Sequence, residues 1–366
     1  MKTLVLESLE IHRFRPFRHL QIPRLGLVNL VTGKNNVGKS CLLEALWLYA
    51  RRGSQTVIWQ TLEARDESGH PSMRGERDAE ERALALKHLF YGRRDIREAI
   101  EPAKIGSVNS QTDLLSISVG WATWPTGEGG RREIQLLQPD EYPTIDTPVA
   151  VLVTQYGTQE KIVQGIDWRR IQRTDPKGIP CVFVSANGLQ RLQVGQFWDT
   201  VALTNLEEDV LTSLRIIAPE VERVNLIGEQ EIRRGRVPIV KIPGFDSPIP
   251  LRSMGEGMNR IFGIALALVN AKGGMLLIDE IDSGLHYSVQ PDLWRMIFQV
   301  AARLNVQVFA ATHSWDCVEA FQEAAMEDQK EEGLLIRLHE QDGEMISTLF
   351  EERKLGIATR DDIEVR

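Results

Sequence analysis

The chain lacks the features that mark membrane or secreted proteins. Its three cysteines (Cys41, Cys181 and Cys317) in 366 residues are scattered and odd in number, which gives neither a disulfide framework nor a cysteine-built metal site. The longest nearly unbroken apolar run, residues 261–269, falls far short of the ~20 residues that cross a bilayer. No leader layout opens the sequence, since Met1-Lys2-Thr3-Leu4 runs straight into a strand-like pattern. There is no internal repeat and no sustained heptad, so no long coiled-coil arm is expected, and no Asn-Lys-x-Asp motif for reading guanine. These absences predict a soluble cytoplasmic protein without membrane contacts. Core-forming side chains are not scarce: a 42% hydrophobic share with 8 Trp and 11 Phe excludes disorder as the main state.

A surplus of positive charge is also missing. The net charge of −8 argues against wholesale coating of nucleic acid. The balance is uneven, however, because residues 1–52 carry nine Lys/Arg against Glu7, Glu10 and Glu44. A basic opening on an acidic body points to an anionic ligand meeting the N-terminal segment.

Patterning predicts strands at 3–12, 20–22 and 27–32, a helix at 41–52, a loop at 65–80 and a helix at 80–90. Residues 105–165 read as strand and turn, an inserted β-rich part. Asp175, Pro176, Gly178 and Pro180 mark the best internal boundary. Beyond it come a strand at 181–185, a helix near 206–217 and a hairpin at 236–249. A helix at 257–269 is apolar enough to be buried on both faces. Strands at 275–278 and 306–311 alternate with helices at 289–304 and 316–326. The expected class is α/β, a mostly parallel sheet flanked by helices. Residues 1–175 would form an N-terminal lobe with the P-loop and the β-rich insertion. Residues 176–366 would form a C-terminal lobe.

Gly33-Lys34-Asn35-Asn36-Val37-Gly38-Lys39-Ser40 fits G-x-x-x-x-G-K-[ST] at every fixed position. The glycines let backbone wrap closely round phosphates, and the N–H groups of the loop and of the helix opening near Cys41 supply positive potential. In this pattern Lys39 reaches the β- and γ-phosphates and Ser40 gives its hydroxyl to Mg²⁺. Met275-Leu276-Leu277-Ile278-Asp279-Glu280 is a buried strand ending in two acids. Asp279 is placed to hold Mg²⁺ beside Ser40, and Glu280 to orient or deprotonate the attacking water. Ser253-Met254-Gly255-Glu256-Gly257 precedes the apolar helix, as either a second phosphate-binding turn or a simple helix cap. Thr312-His313-Ser314 ends another buried strand, where His313 can touch the γ-phosphate.

In this order the motifs resemble the ATP-binding-cassette type of AAA ATPase found in SMC-like, RecF-like and overcoming-lysogenisation-defect (OLD) proteins. The opening Ile11-His12-Arg13-Phe14-Arg15-Pro16-Phe17-Arg18 is similar to the start of those proteins. The resemblance covers the first fifty residues and nearly everything from 180 to 325. It implies a P-loop NTPase fold of the ABC type, with ATP and Mg²⁺ as cofactors. It places Arg15 beside the nucleotide. It makes Ser253, Gly255 and Gly257 a degenerate signature loop for the γ-phosphate held by the opposite protomer, Asp279 the Walker B acid and His313 the switch histidine. The sequence departs from transport cassettes in that loop, in Ile281 after the acidic pair, and in Asp282-Ser283-Gly284-Leu285-His286, where His286 stands near the usual D-loop aspartate. Gln155 is one candidate among several for the Q-loop glutamine. OLD proteins often append a Toprim nuclease, but the stretch after His313 is too short for one, so a nuclease would be a separate subunit. The function implied is a homodimerising ATPase that regulates such an effector in nucleic-acid surveillance or phage defence. Alternatives are a RecF-like repair ATPase that binds DNA directly and, less in keeping with the departures, the energising subunit of a transporter.

Overall fold

The computed structural model describes residues 4–68, 84–94, 101–110, 112–123, 135–137, 149–164, 178–216, 218–228, 235–327 and 333–351. Two sheets share the N-terminal segment. In the first, β1 (Leu9–Phe14), β2 (Phe17–Ile22), β4 (Ala103–Gly106), β5 (Leu114–Thr123), β6 (Gln135–Leu136), β7 (Val149–Tyr156) and β8 (Gln159–Gln164) pair antiparallel in the order β2-β1-β4-β5-β7-β8, with β6 on β5. In the second, β9 (Cys181–Val184), β13 (Met275–Ile278), β14 (Gln307–Ala311), β3 (Val28–Thr32) and β15 (Gly333–Gln341) lie parallel. There β16 (Glu344–Glu351) closes the edge antiparallel to β15. A small antiparallel sheet is formed by β10 (Arg223–Gly228), β11 (Arg236–Lys241) and β12 (Ile249–Pro250).

Both faces of the parallel sheet are buried, which is why its strands read as unbroken apolar runs rather than as alternation. On one face Leu276, Ile278, Val308 and Ala310 pack against α3 (Arg191–Val201), α4 (Asn205–Leu214), α5 (Glu256–Asn270), α6 (Gln290–Leu304) and α7 (Trp315–Glu327). On the other face Met275, Leu277, Phe309 and Ala311 meet α1 (Lys39–Ala50) and the antiparallel sheet. Sandwiched between two sheets, α1 buries ten residues from Lys39 to Ala50 and has no wide polar face. The all-round burial expected for the apolar helix is found, since every residue from Arg260 to Val269 of α5 is buried.

The sheets do not divide at residue 175. The P-loop strand β3 is hydrogen-bonded between β14 and β15, so the P-loop belongs to the sheet built from the C-terminal half. The mostly parallel sheet flanked by helices is this one, and the strands within the β-rich segment expected at 105–165 pair antiparallel in the other sheet. The expected strand at 3–12 begins at Leu9. Before it, Leu6 is buried with its backbone bonded to the Gln307 side chain, N–H to Oε1 at 3.0 Å and C=O from Nε2 at 2.8 Å, in place of a strand partner. Within the described residues the helix expected at 80–90 closes as a 3₁₀ turn, Leu86–Leu89. The expected hairpin at 236–249 is β11 and β12, with β10 on its other side. The helices α2 (Gln55–Glu63) and α3, and the terminal hairpin β15–β16, are additional to the elements expected. Among the described residues no helix is long and apolar enough to cross a membrane.

Candidate functional site

The order β3-β14-β13 sets three strand ends along one edge of the parallel sheet, where crevices for ligands form in α/β folds. Gly33 to Ser40 leaves β3, His313 follows β14, and Asp279 and Glu280 follow β13. The loop geometry needs its glycines. Gly33 (φ 145°) and Gly38 (φ 98°) lie in the left-handed region, and a Cβ on Gly33 would stand 2.3 Å from the carbonyl oxygen of Leu338. On Gly38 it would meet the Phe17 ring at 2.8 Å. Gly38 caps α1 without a side-chain hydrogen bond, so the first N–H groups of the helix are left for a ligand. Lys34, Asn35 and Asn36 are exposed, while Val37, Lys39 and Cys41 are buried. The Lys39 ammonium curls over its own loop, donating to Gly33 O at 2.8 Å and Lys34 O at 3.1 Å. Burial pushes its pKa below the usual lysine value, against the opposing charges of Glu280, Asp279 and Asp282.

A cavity of about 750 Å³ opens above this loop, lined by the loop residues 35–36 and 38–41 together with Arg15, Arg65, Arg93 and Glu280. Asp279 donates its backbone N–H to Val184 O at 2.9 Å. Its Oδ1 is buried and without a hydrogen-bond partner, the state of a carboxylate oxygen that a cation would satisfy. Glu280 adopts φ 46°, a strained value for a non-glycine residue. That turn carries its Oε2 to within 2.6 Å of Nδ1 of His313. The structure therefore brings the Walker-type acid pair, the strand-end histidine and the P-loop to one place.

Arg15 is held in a buried ion-pair network. It lines the cavity, its side chain is 3% exposed, and its guanidinium is engaged by Glu44 at 2.6 Å, Glu67 at 2.9 Å and the Thr61 carbonyl at 3.3 Å. The basic groups with more exposure there are Arg65 and Arg93, which the sequence reading did not single out. Ser253 is exposed in a 3₁₀ turn, Leu251–Met254. Gly255 (φ 107°) opens α5, and neither it, Ser253 nor Gly257 lines the cavity of its own chain. A Cβ on Gly284 would lie 3.7 Å from Glu256 Cβ, so the loop after the acids runs past this turn. His286 is exposed and accepts from the Ser288 N–H, while Asp282 accepts from the Thr312 hydroxyl at 2.6 Å. Gln155 sits on the β7–β8 hairpin bonded to Gly157 O and is not among the cavity-lining residues.

A further residue of the site, Arg260, was also not singled out. Arg260 of α5, 7% exposed, donates to the carbonyls of Asp279 and Glu280 at 2.7 Å each and of Ser185 at 2.8 Å. It ties the acid-bearing turn to the end of β9 and supports the strained Glu280 backbone. The signal was a single cation inside an otherwise apolar helix.

Cys41, beside Ser40, is not a reactive group. Burial, reinforced by the charge of Glu44, pushes its thiol up to about 11 against the opposing arginines, so the thiolate is scarce near neutrality. Iodoacetamide at about pH 8 should leave Cys41 unlabelled in the native protein within minutes and label it after denaturation. Rapid native labelling, read by peptide mass spectrometry, would contradict this.

Comparisons with known proteins agree with this architecture. Residues 222–316, which hold the Ser253–Gly257 turn, the acid pair and His313, match a family model described as "AAA domain, putative AbiEii toxin, Type IV TA system". The chain is similar to an ATP/GTP phosphatase of Helicobacter pylori, 22% identical over 88% of this chain and 89% of that protein. A 56-residue stretch is 41% identical to an uncharacterised protein of Methanocaldococcus jannaschii, covering 15% of this chain and 26% of that one. The solved structure of an SMC head bound to the C-winged helix domain of ScpA superposes with a TM-score of 0.50 at 13% identity, over 94% of this chain and 97% of that one. The chain has the P-loop ATPase fold of the SMC-head type.

Proposed function

We propose that this chain binds and hydrolyses ATP with Mg²⁺, that two copies close around the nucleotide, and that the cycle controls a separate effector subunit of nuclease type. The observation that carries the hydrolytic reading is the convergence of Lys39, Ser40 and Glu280 on one cavity, beside the unpartnered buried oxygen of Asp279. Lys39 and the first N–H groups of α1 hold the β- and γ-phosphates. Ser40 and Asp279 fit a hard divalent cation, which when bound neutralises charge developing on the phosphates. Glu280 takes the proton of the attacking water, and His313, hydrogen-bonded to it, fixes the carboxylate. Arg260 holds the backbone that presents both acids.

The dimer reading is supported by the Ser253–Gly257 turn, which exposes Ser253, Gly255 and Glu256 and lies outside the cavity of its own chain, as a group that completes a partner's site would. The effector reading rests on the resemblance to OLD-like ATPases and on the SMC head found with a partner protein. DNA-stimulated turnover without any copurifying subunit would favour direct DNA binding instead.

Asp279→Asn tests the metal role. Phosphate release should fall about a hundredfold or more, and EDTA should abolish the activity of the unmodified protein. Binding of a fluorescent ATP analogue should survive in both cases, because Lys39 and the loop are intact. Turnover of Asp279→Asn at the wild-type rate would remove Asp279 from the site.

A further inference from the structure

A second cluster of ligand-type side chains lies on the outer face of the β1–β2 hairpin. Alternation along the two strands sends Leu9, Ile11, Leu20 and Ile22 into the core and Glu10, His12, His19 and Gln21 to the other face. Cross-strand register then sets His12 opposite His19 and Glu10 opposite Gln21. The imidazoles stack with ring centroids 4.1 Å apart and an interplanar angle of 11°. Both Nε2 atoms turn to the same carboxylate oxygen, Glu10 Oε1, at 3.2 Å from His12 and 2.9 Å from His19. One ligand atom from each of the three residues lies within 4.8 Å of the others.

We propose that Glu10, His12 and His19 form a binding site for a divalent transition metal of the zinc type, separate from the Mg²⁺ position at Ser40 and Asp279.

Two imidazole nitrogens and one carboxylate oxygen converging on a point are the donor set that zinc-type ions take with three protein ligands and a water. Magnesium, which prefers oxygen donors, would be a poor occupant. Gln21 supports the set from outside, its Nε2 donating to Glu10 Oε1 at 2.5 Å and orienting the carboxylate. On the β4 side Glu10 faces Gly106, which has no side chain to cover it. Lys104, opposite His12, is exposed, and its long stem lets the ammonium move away from an incoming cation. A bound metal would clamp β1 to β2 two residues from the pair Phe14 and Phe17. Between those two residues the hairpin turns through Arg15 and Pro16, which line the nucleotide cavity. The site is thus placed to stiffen one wall of that cavity.

The test uses the full-length protein with any histidine tag removed, stripped with EDTA and dialysed. Calorimetric titration with Zn²⁺ should show one equivalent bound, and Co²⁺ should give visible absorption of a low-coordinate site. His12→Ala and His19→Ala should each abolish that equivalent, Glu10→Gln should weaken it at least about tenfold, and Gln21→Leu about tenfold. Asp279→Asn and His286→Ala should retain it. Equal melting temperatures of all variants in EDTA show that the fold is unchanged; if an alanine variant melts lower, Glu10→Gln, which keeps size and hydrogen bonding, decides. The proposal fails if the wild type binds no stoichiometric Zn²⁺, or if both histidine variants keep the equivalent, in which case the cluster is only a hydrogen-bonded surface network.

Discussion

Lys39→Ala should abolish phosphate release and weaken ATP binding by roughly 30-fold to a few thousand-fold. Lys39 is 7% exposed, and its ammonium sits where the loop curves back on itself, bonded to Gly33 O and Lys34 O. In the proposed complex it exchanges those carbonyls for phosphate oxygens. Removing one partner of a buried, hydrogen-bonded charge pair costs about 2–5 kcal/mol, and each 1.4 kcal/mol is about a factor of ten in Kd. Catalysis loses more than binding does, because a fixed cation beside the γ-phosphate acts on charge that develops only during transfer. Folding should be largely spared, since the change removes two hydrogen bonds within one loop and leaves the glycines that shape it in place. A Tm within about 2–4 °C of wild type would confirm that. The measurement pair is isothermal titration with ATP and steady-state phosphate release. Wild-type turnover in the variant would exclude the P-loop as the site of chemistry.

Glu280→Gln should instead separate binding from turnover. The side chain keeps its size, and its amide can still pair with Nδ1 of His313, now 2.6 Å from the carboxylate, but it cannot take a proton. General-base removal costs about 10²–10⁴ in rate, so the variant should bind ATP as tightly as wild type and stall. If the Ser253–Gly257 turn completes a partner's site, the stalled protein should accumulate as an ATP-dependent dimer in light scattering. Ser253→Arg, which puts a long charged side chain on that turn, should block the assembly while leaving binding at the P-loop in place. Should the protein already be a dimer through another surface, Ser253→Arg should still lower turnover. Unchanged assembly and unchanged turnover together would remove the turn from the mechanism.

What was legible in the sequence follows from how local each signal is. The P-loop needs left-handed backbone at Gly33 and Gly38 and a helix starting at Lys39, and these demands fall on adjacent residues, so the motif reports its own geometry. The strand ends at Asp279 and His313 were readable because runs buried on both faces stop at a polar residue. Arg15 was placed by resemblance alone, and its ion pairs were not legible. Glu44 and Glu67, distant in sequence, claim its guanidinium, and no local pattern announces a tertiary ion pair. Arg260 escaped for a similar reason, because its acceptors are backbone carbonyls of a distant turn. Other omissions had local signals. The helix α3 opens with a Gln190–Gln193 capping box, although Gly195 in its interior weakens the pattern. The hairpin β15–β16 turns at Asp342-Gly343, both at positive φ, the Asp-Gly pair that two-residue hairpins favour.

The most direct test of the central claim, that this cavity binds ATP and hydrolyses it through Glu280, is a structure of Glu280→Gln with Mg²⁺ and ATP. The account predicts the triphosphate wrapped by residues 33–40, a metal ion between Ser40 and Asp279, and the Ser253–Gly257 turn of a second copy against the γ-phosphate. Nucleotide bound elsewhere, or held here with the acid pair turned away from the γ-phosphate, would contradict it.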